Sequence, residues 1–206
     1  VTATVTPNRA YDSYKISKIY NIQYELEKIF VNDWNLINES KLVYLKQNCV
    51  KAKNLKTVNI VCSGANQNKN NILDSYLNLI SSAKYKIYIQ TPYLIIDDIF
   101  FKFLCLAKNN GVDIKVIVPK IADKKYVYYA TLYYVKKLIE VGVEVYFYNG
   151  FIHSKTLLVD DNAISIGTFN IDNRSFNLNF ETTLIVYNLN FVKKNEKIFL
   201  KDVENS

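Results

Sequence analysis

Histidine is almost missing from this chain. Its 206 residues hold one, His153, so a site that needs two imidazoles cannot be built from a single copy. Cysteine is scarce as well. Cys49, Cys62 and Cys105 are odd in number, widely spaced and free of any C-x-x-C pattern, so neither a disulfide framework nor a zinc site is indicated. Cys62 and Cys105 lie in apolar runs and read as reduced core residues. No stretch approaches the roughly 20 apolar residues of a membrane-spanning helix, and no secretory signal opens the chain. Methionine is absent and Val1 comes first, which leads us to expect a piece of a longer product.

What is present suits one sizeable globular core, or two small ones sharing an interface: 50% of residues are hydrophobic. The formal charge of +7 favours anionic partners such as nucleic acid, an anionic membrane surface or a phosphate-bearing substrate. Seventeen Tyr and eleven Phe, among many Asn, Ile and Lys, partly reflect an A+T-rich coding bias, so position matters more than number.

Hydrophobic periodicity separates strands from helices. Residues 58–62 read as a strand, 71–82 as a helix carrying Ile72, Leu73, Tyr76, Leu77 and Ile80 on one face, and 86–94 as a strand stopped by Pro92. Asp97 is placed to cap a second helix that ends at Asn110-Gly111, and 112–118 is an apolar strand of the kind buried on both faces. A third helix from about 123 to 141 leads into a strand over 143–148. This alternation predicts parallel strands joined by right-handed crossovers. Residues 155–160, 163–167 and 181–187 then read as strands with short connections, an antiparallel addition to the sheet, and 190–204 as a closing helix. Ahead of them, 18–34 reads as a helix bearing Ile22, Leu26, Ile29 and Phe30.

The single histidine sits in FIHSKTLLVDDNAISIGTFN, residues 151–170. In a strand, side chains at i and i+2 share a face, so His153 and Lys155 are expected to project together while Ser154 faces away. An imidazole can attack phosphorus or protonate a leaving oxygen, and an ammonium stabilises equatorial phosphoryl oxygens. The pair suits a phosphodiester. Asn170 adds an amide donor, Thr168 a hydroxyl, and Gly167 lets the turn approach a ligand closely. A catalytic imidazole usually has its second nitrogen held by a carboxylate or carbonyl, and Glu181, opening ETTLIVY, is the candidate. Asp160, followed by another Asp at a turn, is expected to bond local backbone rather than substrate.

The string HSKTLLVDD, then GTFN and RSFNLNFE, closely resembles the HKD motif of the phospholipase D superfamily in the form found in bacterial cardiolipin synthases. LEKIFVNDW, IYIQTPYL, GVDIKVIVPK and YVYYATLYYVKKLIEVGVEVYFY are similar, in the same order, to the C-terminal half of those enzymes, so the likeness covers roughly residues 18 to 200. It implies an α/β fold: a phospholipase D-like mixed β-sheet flanked by helices on both faces, an α/β/α sandwich. Residues 58–206 would form the domain with its one motif, and 1–57 would be left from a preceding half-domain or linker. By matching position, His153, Lys155, Asp160 and Glu181 fall among the catalytic positions, Glu181 as the residue that holds the histidine. Lys155, Thr168 and Asn170 bind substrate phosphate. No metal and no other cofactor is implied. Arg174 and Phe176 belong to a tail typical of cardiolipin synthases, whereas Phe169 replaces a usually small residue and is expected to narrow the site.

Enzymes of this superfamily use two HKD motifs across one site, one histidine forming a phosphohistidine and the other acting as general acid. With one histidine, the chain would be the C-terminal half of a longer synthase or would pair with a second copy. The resemblance implies a phosphatidyltransferase that joins two phosphatidylglycerols into cardiolipin and glycerol. Its partners would be anionic phospholipid and a membrane surface, and its place peripheral at the bacterial cell membrane, with any anchor in the absent N-terminal part. A homodimeric phosphodiesterase acting on nucleic acid, and an inactive phosphate-binding fragment, stay open as alternatives. The tyrosines at 126, 128, 129, 133 and 134 suit core and rim packing, or, beside Lys124, Lys125, Lys136 and Lys137, the headgroup level of an anionic bilayer.

Overall fold

The computed structural model describes residues 2–6, 22–44, 57–64, 70–121 and 123–206. In chain order its elements are β1 (Thr2–Thr6), α1 (Ile22–Ile37), β2 (Thr57–Ser63), α2 (Asn71–Ser82), β3 (Lys86–Gln90), β4 (Leu94–Ile95), α3 (Asp98–Asn109) and β5 (Asp113–Pro119). There follow α4 (Lys125–Glu140), β6 (Glu144–Tyr148), β7 (Thr156–Val159), β8 (Ala163–Gly167), β9 (Ile171–Asp172), α5 (Asn173–Asn177), β10 (Glu181–Tyr187) and α6 (Leu189–Glu204).

Local chemistry fixes the starts of α3 and α6 and the ends of α3 and α4. The Asp97 carboxylate accepts from Phe100 N at 2.7 Å and opens α3; the Asn188 carboxamide oxygen accepts from Phe191 N at 3.0 Å and opens α6. After α3 and α4 the chain turns through Gly111 and Gly142, both at φ +84°, a conformation that costs a side chain more than it costs glycine.

Among the described residues, eight strands form one mixed sheet in the order β1-β2-β10-β8-β7-β3-β5-β6. The alternation of strand and helix predicts parallel neighbours, and β3, β5 and β6 are parallel neighbours. The strand β2 is the exception. It points the same way, yet β10, β8 and β7 lie between it and β3, because the three C-terminal strands pair antiparallel and fill the middle of the sheet. Only β7 and β10 therefore run against the other six. Their first residues meet the last residues of β2, β3, β5, β6 and β8 at one end of the sheet, where ligands of α/β folds gather.

Helices α2, α3 and α4 cover one face, with Ile72, Tyr76, Phe100, Leu104 and Leu138 packed on Ile87, Ile89, Val116 and Leu157. The other face is covered by α6, whose Val192 and Phe199 pack with Tyr88, Leu158 and Ile164; the Phe199 and Tyr88 rings stack at 4.8 Å. Burial of each such aliphatic or aromatic side chain is worth about 1.5–3 kcal/mol. The two layers confirm the expected α/β/α sandwich. Two elements from the segment assigned ahead of residue 58 join this body: β1 pairs with β2 in parallel, and Ile22 of α1 packs against the α6 face. Cys49 and the expected start of the first helix, 18–21, lie outside the described residues.

Asp160 closes β7 at the end of the sheet opposite His153. At φ +52° it turns its carboxylate onto three consecutive backbone N–H groups: Lys84 N at 3.0 Å, and Tyr85 N and Lys86 N each at 2.9 Å. It thereby anchors the start of β3. We expect Asp160→Ala to lower unfolding free energy by about 2 kcal/mol, since three donors lose a charged acceptor. Asp160→Asn, which tolerates positive φ and keeps one acceptor oxygen, recovers a large part of that loss. Urea midpoints of the two variants check both statements.

Candidate active site

The site is built at the end of the sheet where β7 and β10 start. Gly167, the last residue of β8, donates its N–H to the Lys155 carbonyl at 3.3 Å, and in register it faces Thr183 of β10. A Cβ on Gly167 would lie 2.2 Å from Thr183 Oγ1 and 2.5 Å from the Thr182 carbonyl oxygen, so only glycine permits this approach. Thr168 follows and is pinned reciprocally: its N–H donates to Thr182 O and its Oγ1 accepts from Thr182 N, each at 3.0 Å. The same hydroxyl donates to Glu181 Oε2.

Glu181 is buried, and its other oxygen accepts from Ser175 Oγ at 3.2 Å and Asn179 Nδ2 at 3.0 Å. The sequence leads us to expect Glu181 at the second nitrogen of His153. Here its side-chain partners are Thr168, Ser175 and Asn179, and among the described residues no hydrogen bond joins it to the imidazole.

Lys155 is 9% exposed and donates its ammonium to the His153 carbonyl at 2.9 Å. Burial pushes its pKa below the ordinary lysine value, against the opposing pull of the Glu181 and Asp172 carboxylates. His153 itself is exposed, its ring stacked on Phe151 at 5.7 Å and 28°. The expected strand over 155–160, with His153 and Lys155 on a shared face, begins one residue later, at Thr156. Lys155 turns inward while His153 and Ser154 stay at the surface. The cause lies across the ladder. Gln90 pairs with Thr156, so continued pairing would set Pro92, which has no N–H, opposite Ser154.

Asn170 lies just beyond the β8 turn, its carboxamide oxygen buried and, among the described residues, without a hydrogen-bond partner. Such an orphan is uncommon, and a substrate hydroxyl would satisfy it. The chain is then held by the short parallel pair of β9 with β4 and by Ile171 N donating to Thr91 Oγ1 at 3.3 Å. His153, Lys155, Thr168, Asn170 and Glu181 thus share one end of the sheet, whereas Asp160 is at the other. No three His, Cys, Asp or Glu side chains are grouped to hold a metal ion among the described residues.

Residues 76–203 match the family described as cardiolipin synthase, PLD-like domain. The chain belongs to that family. It is 40% identical over 185 residues to cardiolipin synthase 2 of Staphylococcus epidermidis, covering 88% of this chain and 38% of the relative. To cardiolipin synthase of Listeria monocytogenes it is 37% identical over 187 residues, covering 89% and 39%. The chain therefore spans about two fifths of the length of the curated relatives it matches. Among solved structures it resembles Nuc of Salmonella typhimurium, a phospholipase D family member, with TM-score 0.61 and 20% identity over 73% of this chain and 96% of that one. Phosphatidylserine synthase of Haemophilus influenzae Rd KW20 gives TM-score 0.58 and 20% identity, covering 85% and 44%. Both share the fold.

Two features of this PLD-like domain escaped the sequence. Ser175 and Asn179, which hold Glu181, sit in RSFNLNFE, where alternating polar residues gave no sign of which would turn inward; the helix α5 that aims Ser175 is capped by Asp172, whose carboxylate accepts from Ser175 N at 2.7 Å, and Asn179 follows it, its N–H donating to Arg174 O at 3.2 Å. Phe169 does not narrow the site. It is 1% exposed and points into the core against Tyr76 and Phe176, ring centroids 5.2 and 5.1 Å away, so its bulk is absorbed beneath the turn.

The depressed Lys155 pKa has a measurable consequence. A folded lysine that binds its proton less tightly than the unfolded chain adds a term that raises stability with pH, up to the unfolded value near about 10.5. Lys155→Met removes that term. The stability of Lys155→Met relative to the native chain should be greatest at neutral pH and decline as pH approaches about 10.5; a difference independent of pH contradicts the burial effect.

Proposed function

We propose that this chain is the C-terminal half of a two-motif phosphatidyltransferase of cardiolipin synthase type, joining two phosphatidylglycerols into cardiolipin and glycerol. The observation that carries the reading is the gathering of His153, Lys155, Thr168 and Asn170 at one end of the sheet, in a chain with a single histidine. One imidazole serves one of the two proton and phosphorus roles that such a reaction needs.

In this reading the histidine of the other motif attacks the phosphorus of the first phosphatidylglycerol. A phosphohistidine forms as the phosphorus–oxygen bond to the headgroup glycerol breaks. His153 gives its proton to that glycerol oxygen and then takes one from a glycerol hydroxyl of the second lipid, which displaces the histidine. Lys155 and Asn170 meet the non-bridging oxygens, where negative charge is greatest. An ammonium held in a poorly hydrated place acts on that charge more strongly than one in water.

The substrate class is tested by offering the two-motif assembly phosphatidylglycerol micelles or DNA in parallel. Cardiolipin and glycerol should appear in equal amounts, with no cleavage of DNA at moderate salt; DNA cleavage with no lipid product would replace this reading by that of a nuclease. Chelator should leave the rate unchanged, and a rate lost in chelator and restored by a divalent ion would sink the metal-free mechanism.

A further inference from the structure

The stripe that α4 turns to solvent is aromatic where such stripes are usually charged. Tyr126, Tyr129 and Tyr133, spaced three and four residues apart, are 73%, 69% and 56% exposed. Thr131, Val135 and Leu138 on the opposite side are buried. Sequence alone grouped five tyrosines here. The structure separates them: Tyr134 packs against the core, Tyr128 is half-buried, and the other three face outward.

Bases lead along the stripe, and the acids stand at its two ends, Asp123 and Glu140. Lys124 and Lys125 stand exposed at its start, and Lys137 lies over the Tyr133 ring at 4.8 Å. From Lys124 to Ile139 there is no Asp or Glu, and Glu140, the last residue of α4, stands 4.0 Å from Lys136. Asp123, just before, accepts a hydrogen bond from the Tyr93 hydroxyl.

The stripe also starts at the right end of the molecule. Because α4 follows the last residue of β5, its first turn lies at the same end of the sheet as His153. The connecting loop is tied there, Ile121 N donating to Gly150 O at 3.3 Å, and both Ile121 and Phe151, whose ring stacks on His153, are exposed.

We propose that the α4 stripe is the seat by which this domain rests on an anionic bilayer, with Tyr126, Tyr129 and Tyr133 at the headgroup level and Lys124 and Lys125 on lipid phosphates. Tyrosine is suited to that level because its ring is apolar and its hydroxyl wet. Lysines beside an anionic leaflet add attraction that salt screens. A face on which four lysines outnumber the two acids at its ends fits a polyanionic surface better than it fits a protein face of mixed charge. The inference deepens the lipid reading above and rests on it: the surface that holds the domain would be the surface that supplies its substrate.

The test is sedimentation of the purified chain with vesicles of phosphatidylcholine alone and with phosphatidylglycerol added. The native chain should bind the anionic vesicles and release in high salt. The triple variant Tyr126→Ser/Tyr129→Ser/Tyr133→Ser, at positions exposed enough to leave the fold intact, should lose about tenfold or more in affinity, as should Lys124→Gln/Lys125→Gln. In a second arm, Trp34→Phe/Tyr129→Trp places the sole indole in the stripe, and brominated acyl chains should quench it on anionic vesicles. Equal binding by the native chain and the triple variant, or an unquenched indole, overturns the seat. So does a stripe that proves to be covered by a second copy, seen as a dimer that the triple variant dissociates. Turnover of a water-soluble short-chain phosphatidylglycerol by the two-motif assembly reports on the transferase reading separately, since it needs no bilayer.

Discussion

Replacing His153 by Ala in the two-motif assembly should lower cardiolipin formation by about 10³-fold or more, because one of the two groups that move protons or attack phosphorus is lost. The fold should not notice. His153 is exposed, its one ring neighbour among the described residues is Phe151, and removal of such a side chain changes stability by about 0.5 kcal/mol or less. The contrast between a collapsed rate and an unchanged thermal midpoint is the signature expected of a reacting group. Lys155 offers the opposite case. Its ammonium is buried and bonded to the His153 carbonyl, so a change there reaches both stability and the placement of the histidine backbone.

Gly167→Ala should damage the fold itself, by about 3 kcal/mol or more. The new methyl would stand 2.5 Å from a carbonyl oxygen and 2.7 Å from the Thr183 Cα, both backbone atoms of the neighbouring strand, and neither can rotate away. The strands must part, and the parting falls on the β8–β10 pairing that presents Thr168 to Glu181. Denaturant unfolding should show the loss as a lower midpoint, with turnover falling at temperatures where the protein is still folded. Gly111→Ala is the control: there a Cβ meets nothing within 4 Å, and only the positive φ opposes it, so the cost is about 1 kcal/mol.

The layers of this fold were legible because burial leaves a period in the sequence. Residues such as Ile87, Ile89, Val116 and Leu157 alternate or run together as strands do, and the predicted helices over 71–82, 98–109 and 190–204 lie within about two residues of α2, α3 and α6. Periodicity carries no information on which strand neighbours which, so the insertion of β7, β8 and β10 between β2 and β3 could not be read. The two-residue strands β4 and β9 and the single turn of α5 are too short to show a period at all. At the site, the residue types of the motif pointed to phosphodiester chemistry, and topology brings five of the six chosen residues to one end of the sheet. Asp160 is the sixth, placed at the far end by the same strand that delivers Lys155. The partners of Glu181 lay hidden because Ser175 and Asn179 are polar residues in a polar stretch, and only a capped turn of helix decides that they face inward.

Whether this sheet end needs a second motif is decided by assaying the purified chain on phosphatidylglycerol micelles, alone and mixed with the first-motif half supplied as a separate chain. We predict no cardiolipin from the chain alone, cardiolipin and glycerol on mixing, and loss of both products with His153→Ala. Cardiolipin from the chain alone, at a rate the first-motif half does not raise, would contradict the account and show that two copies of His153 complete the site by themselves.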